Sequence, residues 1–541
     1  MAGGGRRGCP VRATVNPAEA LTSNSCCDTS ARLANVASPV QSRPPSGRPT
    51  RTGGETRVLE HAVWHHRFMR TNVEDVPLVT SLRVEELFGR YSYCLEMPVV
   101  DAIPSRLALL HGDNGSGKTT ILRLLWNLLC AADNRGHRTA IAQVPFRKFV
   151  VGMSGGRSIS VTREHELVGS FILEVTRPGE ESLEVSYVAD GENVVRSISD
   201  VNRLLGEFEI PKGMSSREER RLVEHITRSS SARAEQEYGR FLAATTPNPL
   251  LLADDRTLAS DAPDIERMRE IRFRPEYEHL QGPQRLSRLV NQELRISLDR
   301  ANDLLRSLTL VGQNDGSVSS NSIYTAMLRQ IARDRDNVGV DENRDHEQRR
   351  RVQALLDEIR VRAPRYEEFG LVPKFDAQEF SKLLDSIGDM QNEHVALEIV
   401  EPYLNSLRAR YEGLESAEQV LRALVPTMNE FFRDKQVTFA PKDGLQIRTE
   451  DDQVLSVESL SSGERQLIML LSTTLLATRE TRIFIIDEPE LSLGVAWQRM
   501  ILDALLRVTS KSSLQFIVAT HSIEIISGHA ESLVLLKNQH R

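Results

Sequence analysis

The stretch "GDNGSGKT", Gly112 to Thr119, limits what this chain can fold into more than any other segment. It satisfies G-x-x-x-x-G-K-[ST], with Gly112, Gly117, Lys118 and Thr119 at the defining places. Glycines let successive backbone N–H groups turn inward around an anion, and a helix starting at the loop aims its N-terminal dipole at the same spot. The flanks supply that setting. "RLALLHG" (Arg106 to Gly112) is a short apolar strand entering the loop, and "TILRLLWNLLCAA" (Thr120 to Ala132) has helical periodicity behind it. The expectation is an α/β fold in which Gly112, Asp113, Asn114, Gly115, Ser116, Gly117, Lys118, Thr119 and Thr120 surround the phosphates of a nucleotide. Lys118 would reach the β- and γ-phosphates, and Thr119 would ligate Mg²⁺. The alternative, an ordinary Gly-rich turn, requires neither the strand nor the helix.

A chain of 541 residues exceeds one ordinary core, so two to four domains are expected. An apolar fraction of 40% and a charged fraction of 26% match a soluble globular protein. The net charge of −7 provides no global basic field, so nucleic-acid contact would need a local patch or a partner. No apolar run reaches the roughly 18 residues of a membrane span. The longest, "LIMLLSTTLLAT" (Leu467 to Thr478), reads as a buried helix. Cys9, Cys26, Cys27, Cys94 and Cys130 form no C-x-x-C pair, which argues against a disulfide framework or structural zinc and fits a reducing cytosol.

Residues 1–57 are dominated by Pro, Gly, Ser, Thr and Arg and read as a disordered tail. The Arg excess resembles a transit peptide only loosely, because no amphipathic helix is evident; an inert tail, or a start at Met69, is the simpler reading. Residues 58–210 hold strand patterns such as "LVTSLRVEEL", "YSYCLEMPVV" and "FVVGMSGGRSISVT" around the glycine loop. Residues 211–430 read as a mostly helical, charge-rich insertion. Its prolines Pro263, Pro275, Pro283, Pro364, Pro373 and Pro402 are expected to chop it into a compact body or short arms rather than one rod. Its charged faces are solvated surface or a docking platform. Residues 431–541 return to α/β patterning, with strands at "QVTFAP", "GLQIRT", "RIFIID" and "LQFIVATHS" and a helix around "VAWQRMILDALLRV".

Three further motifs carry chemistry. In "IFIIDEPE" a buried strand places Asp487 and Glu488 at its carboxyl end, where α/β sheets bind ligands. Asp487 would join the Mg²⁺ shell and Glu488 would act as general base toward water. "VATHS" puts His521 at another strand end, within reach of a γ-phosphate. "LSSGERQ" (Leu460 to Gln466) opens an apolar helix with an S-x-x-E capping box from Ser461 to Glu464, and the same N-terminus suits an anion. Gln143 is a candidate Q-loop glutamine or an ordinary loop glutamine, Arg90 and Tyr91 are candidate adenine contacts by their position upstream of the glycine loop, and "DNRGHR" (Asp133 to Arg138) reads as a solvated basic turn rather than a DNA-binding one.

The set "GDNGSGKT", "LSSGE", "IIDEPELSL" and "VATHS", in this order, resembles the ABC-type ATPase heads of chromosome-maintenance (SMC), zinc-hook repair and RecF proteins. It looks closest to the OLD-like branch, often described as AAA-type ATPases. The resemblance covers about residues 77–210 and 431–541, and the middle matches in position alone. It implies an ABC-type P-loop head, a mixed sheet plus helices split by the helical insertion. The N-terminal lobe would carry the P-loop, and the C-terminal lobe the signature, Walker B and His switch. It implies ATP and Mg²⁺, and a homodimer or higher even oligomer whose heads sandwich two ATPs. Ser461, Ser462 and Gly463 would then serve the ATP of the other chain, and Glu490 to Leu493 ("ELSL") would lie across the seam as the D-loop. The branch often reads "ELSLH", whereas Gly494 follows here.

No hook C-x-x-C is present, and the 20 residues after His521 are too few for the TOPRIM nuclease domain of OLD proteins. The expected activity is therefore ATP hydrolysis to ADP and phosphate, with the output in a separate effector. Analogy with Septu, PARIS and retron-associated modules implies a nuclease or toxin, in bacterial antiviral defence, in the cytoplasm and away from membranes. The alternative is a RecF-like or zinc-hook-like repair or recombination ATPase that binds DNA directly. An ATP-clamped scaffold with little turnover is a third reading, against which Glu488 argues.

Overall fold

Neighbouring residues of the short central strands feed two different cores, and that alternation organises the molecule. The computed structural model describes residues 78–100, 103–131, 135–164, 166–189, 195–198, 233–246, 248–260, 291–313, 342–386 and 390–539. These belong to one unit, Thr71–Arg541. The tail 1–57, Met69, Pro263, Pro275 and Pro283 lie outside the described residues.

The chain begins with β1 (Val79–Leu87) and β2 (Tyr91–Glu96), a two-residue pair β3 (Val99–Val100) and β4 (Ile103–Pro104), and then β5 (Leu107–His111). The glycine loop and helix α1 (Lys118–Leu129) follow, then α2 (His137–Gln143) and strands β6 (Lys148–Met153), β7 (Arg157–Thr162), β8 (Phe171–Thr176), β9 (Leu183–Ala189) and β10 (Val195–Ile198). The longer strands form a seven-stranded antiparallel sheet in the order β10-β9-β8-β7-β6-β1-β2. In β6, Phe149, Val151 and Met153 are buried and their neighbours less so, the period of two that a one-faced sheet requires.

Next come α3 (233–245), β11 (Leu250–Leu252), β12 (Leu258–Ser260), α4 (291–313), α5 (Glu342–Glu367), α6 (Ala377–Asp385) and α7 (Met390–Asn429). The last stretch holds the hairpin β13 (Lys435–Ala440) and β14 (Gly444–Thr449), then α8 (Ser462–Glu480), β15 (Ile483–Asp487), α9 (Val495–Val508), β16 (Gln515–Ala519), α10 (Ile523–Gly528) and β17 (Leu533–Leu535).

A second sheet runs β12-β11-β15-β16-β5-β17, parallel except for β12. Leu107, Leu109, Phe484, Ile486, Phe516 and Val518 face one core, shared with α7, α8 and α9. Ala108, Leu110, Ile483, Ile485, Ile517 and Ala519 face the other, shared with α1 and the antiparallel sheet. Strands buried on both faces need a helix on each, which explains why "IFII" is apolar without interruption. The fully buried Gln515 joins the two sheets: its amide oxygen accepts from Val79 N (3.0 Å), and its amide nitrogen donates to Val79 O (2.9 Å) and Ser105 O (3.3 Å).

Three expectations are corrected. Pro364 lies inside α5, and Pro402 lies inside α7 together with Pro426. An interior proline costs about 3 kcal/mol. Packing of α5 along α7 outweighs it, with Val352, Leu356, Ile359 and Tyr366 buried in one core with Leu404, Tyr411, Leu414 and Leu421, since each buried apolar side chain contributes about 1.5–3 kcal/mol. The result is a 40-residue helix, about 60 Å at 1.5 Å per residue. Pro373 does break the chain, between α5 and α6. The long helix is crossed by α4 at Gly312 and Gly413, where a Cβ on either glycine would meet the other's carbonyl oxygen at 2.5–2.6 Å.

The second correction concerns residues 250–260, inside the expected helical insertion. They form β11 and β12 and extend the central sheet beside β15. Leu250, Leu251 and Leu252 are all buried, and three residues are too few to display a period. The third concerns "DNRGHR". His137 and Arg138 are buried rather than solvated. The Arg138 guanidinium donates to Asn127 O (3.0 Å) and Cys130 O (3.2 Å) and pairs with Glu235 at 3.4 Å, tying α1 and α2 to α3.

Candidate functional site

The registers of the parallel sheet bring three loops together. Asp487 pairs with Ala519, and Ala519 with Leu110. The carboxyl ends of β5, β15 and β16 therefore share one edge, the place where such sheets bind ligands. The glycine loop, Asp487-Glu488 and Thr520-His521 leave side by side.

The glycine loop is held from below. The Tyr93 hydroxyl donates to Ser116 O (2.9 Å), and Tyr93 stacks on Tyr91, with ring centroids 5.9 Å apart. Gly117 has φ +89°, and a Cβ there would fall 2.7 Å from the Leu87 side chain, so glycine is required twice over. Helix α1 begins at Lys118 with no side-chain cap and no acid in its first turn, which leaves its N-terminus suited to an anion. The Lys118 ammonium, 5% exposed, donates to Gly112 O (2.9 Å) and Asp113 O (3.1 Å). Burial lowers its proton affinity, while the charges of Glu488 and Asp487 pull the other way.

The residues present fit Mg²⁺. Asp487 is 4% exposed, the Thr119 hydroxyl hydrogen-bonds its carboxylate, and its Oδ1 has no hydrogen-bond partner. Burial pushes the carboxyl up to about 6, against the Thr119 hydrogen bond. A buried carboxylate with an unused oxygen beside a threonine hydroxyl is a hard-oxygen donor set of the kind that divalent cations take.

Glu488 follows with φ +51°, rare for a side-chain-bearing residue, and its backbone N–H donates to Ala519 O (2.9 Å). Its Oε1 stands 3.6 Å from His521 Nε2. The loop that carries His521 is fixed by Glu490, whose Oε1 accepts from the Thr520 hydroxyl (2.8 Å), His521 N (2.6 Å) and Ser522 N (3.0 Å). This role within one chain goes beyond the D-loop reading of "ELSL". The available signal was the cluster of donors in "THS", which needs an acceptor once buried. Glu490→Ala is expected to lower stability by about 2 kcal/mol, because three donors lose a charged acceptor; thermal denaturation checks it.

Ser461 caps α8, and both halves of the capping box are present: Glu464 N donates to Ser461 Oγ (3.3 Å) and Ser461 N to Glu464 Oε2 (2.7 Å). Lys435 closes on Glu464 Oε1 at 2.5 Å. Ser461 and Ser462 are exposed and, among the described residues, make no hydrogen bond to residues 112–120. Gly463 is buried against the loop after β15, and a Cβ there would sit 2.7 Å from Ser492 O.

Gln143 ends α2, exposed, on a helix that packs beside β9 and β10 rather than at the site edge. Arg90 lies over the Tyr91 ring at 5.4 Å. Two residues at the end of β11 escaped the sequence reading. Asp254 adds its negative charge to the surroundings of Asp487 and pairs with Arg123 at 3.1 Å. Arg256 donates to Ser492 Oγ.

This sheet, with its glycine loop and strand-end carboxylates, defines a P-loop α/β domain. Over residues 107–527 the chain matches the family described as "AAA domain, putative AbiEii toxin, Type IV TA system", and it belongs to that family. Among solved structures it is similar to the Smc head domain with an extended coiled coil bound to the C-terminal domain of ScpA, from Pyrococcus furiosus. That match has 14% identity, covers 84% of this chain and 92% of that one, and has a TM-score of 0.32. The SmcHead bound to the C-winged helix domain of ScpA gives 12% identity, 85% and 98% coverage and a TM-score of 0.32. The Smc head with a coiled coil and joint from Pyrococcus yayanosii gives 14%, 86% and 97%, and 0.29. No curated protein matches the chain.

Proposed function

We propose that this chain is an ATPase whose heads pair around ATP, and that its cycle switches a separate effector. The observation that carries the reading is the unpartnered Oδ1 of Asp487 beside Thr119, set between Lys118 and Glu488 at one sheet edge. The backbone N–H groups of Gly115 to Thr119 and the α1 N-terminus hold the phosphates, and Lys118 exchanges its loop carbonyls for β- and γ-phosphate oxygens. Mg²⁺, held by Thr119 and Asp487, supplies charge neutralisation at those oxygens. Glu488 takes the proton of a water whose oxygen bonds to the γ-phosphorus. The bond to the β–γ bridging oxygen breaks, and its electron pair leaves on ADP. His521 faces Glu488 and contacts the same phosphate, so its loop reports whether that phosphate is present.

Pairing with a second copy accounts for Ser461, Ser462 and Gly463, an anion-suited helix start with exposed serines that no hydrogen bond ties to the chain's own glycine loop. The effector is a nuclease or toxin of bacterial antiviral defence, docked on the helices of residues 291–429. The family description attaches the toxin label of a type IV toxin–antitoxin system to the AAA-domain protein itself, so the separate effector rests on the analogy with defence modules alone. Lys118→Ala is expected to weaken ATP binding at least about tenfold, as loss of a charge-assisted contact implies; titration with a fluorescent ATP analogue reads it. Affinity purification from the native operon is expected to bring down a stable protein partner. Salt-sensitive DNA affinity with DNA-stimulated hydrolysis, and no such partner, would replace the effector by DNA.

A further inference from the structure

We propose that Arg256 and Arg465 act together as a cationic clamp on the γ-phosphate of ATP bound to a second copy of this chain. The proposal rests on the paired-head reading above and adds two residues to it.

Arg256 stands in the turn after β11, with φ +66°. Its guanidinium donates to Ser492 Oγ, and Ser492 has φ +67°. The Ser492 carbonyl is the atom that packs on Gly463. Arg465 lies in the first turn of α8, directly behind the capping box. The turn after β11, the loop after β15 and the start of α8 thus form one cluster. With Glu488, these are three side-chain-bearing residues held in the left-handed region, the kind of strain that collects at binding and catalytic sites.

Both guanidiniums are half-buried, and neither has an ion-pair partner among the described residues. Burial lowers the proton affinity of Arg256, and the positive charge of Arg465 lowers it further, so the two groups feel each other. Elsewhere the described arginines commonly find a carboxylate, as Arg300 does in Glu480 and Arg507 in Glu430. Two arginines close enough for their charges to interact, neither ion-paired among the described residues, favour a multiply charged anion, and a phosphate offers oxygens for both guanidinium forks.

The phosphate belongs to a second copy for a geometric reason. Arg465 lies four residues after Ser461 and three after Ser462, the spacing that puts it on the same side of the helix start as those exposed serines. The chain's own glycine loop already has Lys118, buried and turned onto it. An exposed apolar side chain flanks the loop after β15, Val495 at 55%, and another follows the neighbouring loop after β16, Ile523 at 77%, which suits a protein surface closing there.

The test uses the full chain carrying Glu488→Gln, so that ATP persists. Arg256→Ala and Arg465→Ala are each expected to bind a fluorescent ATP analogue within about threefold of the parent at low protein concentration. Light scattering should show their ATP-dependent dimer weakened at least about tenfold, and Arg256→Lys, which keeps charge without the fork, should fall between. Without Glu488→Gln, mixing Arg256→Ala with Lys118→Ala should restore hydrolysis, because one composite site keeps both groups. Unchanged dimerisation in both alanine variants, or loss of monomer nucleotide binding in them, overturns the proposal. Normal ATP-driven dimers with lost DNA affinity would overturn it in favour of a nucleic-acid contact. Ser461→Glu mixed with Lys118→Ala separates the two levels. Recovery there but not with Arg256→Ala sinks the clamp alone, and recovery in neither sinks the paired heads as well.

Discussion

Glu488→Gln is expected to slow ATP turnover by about 10²- to 10⁴-fold, the range that a positioned general base contributes. Glutamine keeps the size and the backbone of Glu488, whose N–H is anchored to Ala519 O and whose φ of +51° is set by that turn rather than by charge. What it loses is the capacity to take a proton from water. ATP affinity should hold, since Lys118, the loop N–H groups and Asp487 are untouched, so the ATP-bound dimer should accumulate. Single-turnover phosphate release alongside nucleotide binding reads both halves. Unchanged turnover would mean that another group deprotonates the water, and His521, 3.6 Å away, would be the first to examine.

Asp487→Asn is expected to stabilise the nucleotide-free protein while abolishing hydrolysis. Burial holds the Asp487 carboxyl at about 6 in the folded chain, above the roughly 3.9 of an unfolded aspartate. An acid with a raised folded value costs the fold nothing below about pH 4 and the full amount above about pH 6. The gain from asparagine should therefore be absent at pH 4, appear between pH 4 and 6, and persist at pH 7.5. Discounted for solvent reaching the site edge, it amounts to about 1–2 kcal/mol. Thermal unfolding across that pH range, with a chelator present, checks the sign. The same change removes one of the two residues proposed to hold Mg²⁺, so function and stability are expected to move in opposite directions, as is common where a site stores unfavourable charge.

The parts legible in the sequence were those whose local pattern and tertiary role agree. The strand at Leu107–His111, the loop and the helix from Lys118 are a self-contained unit, and the doubly buried "IFIID" has no other way to satisfy its apolar run. The helix Val495–Val508 coincides with "VAWQRMILDALLRV". The capping box at Ser461 is realised, because its hydrogen bonds are local. What escaped was decided by contacts across the chain. Leu250–Leu252 is a strand because β15 lies beside it. Pro364 and Pro402 sit within helices because α5 and α7 bury each other. Arg138 is buried because residues over a hundred positions apart, such as Glu235 and Asn127, converge on it. At the site, Glu490, Asp254 and Arg256 escaped for the same reason: their partners lie on other elements, the loops after β15 and β16 and helix α1.

The central claim is that one working site is built from two chains. Mixing the Lys118→Ala protein with the Ser461→Glu protein tests it most directly. Ser461 is exposed, so glutamate at the helix start meets no packed neighbour; losing the serine cap costs about 1 kcal/mol, and the added charge repels a phosphate. Each variant alone should be inactive. The mixture should recover hydrolysis, because a heterodimer pairs an intact glycine loop from one chain with an intact "LSSGE" from the other. Failure to recover, with heterodimers shown to form in ATP, would contradict the account and leave Ser461 as a helix cap and nothing more.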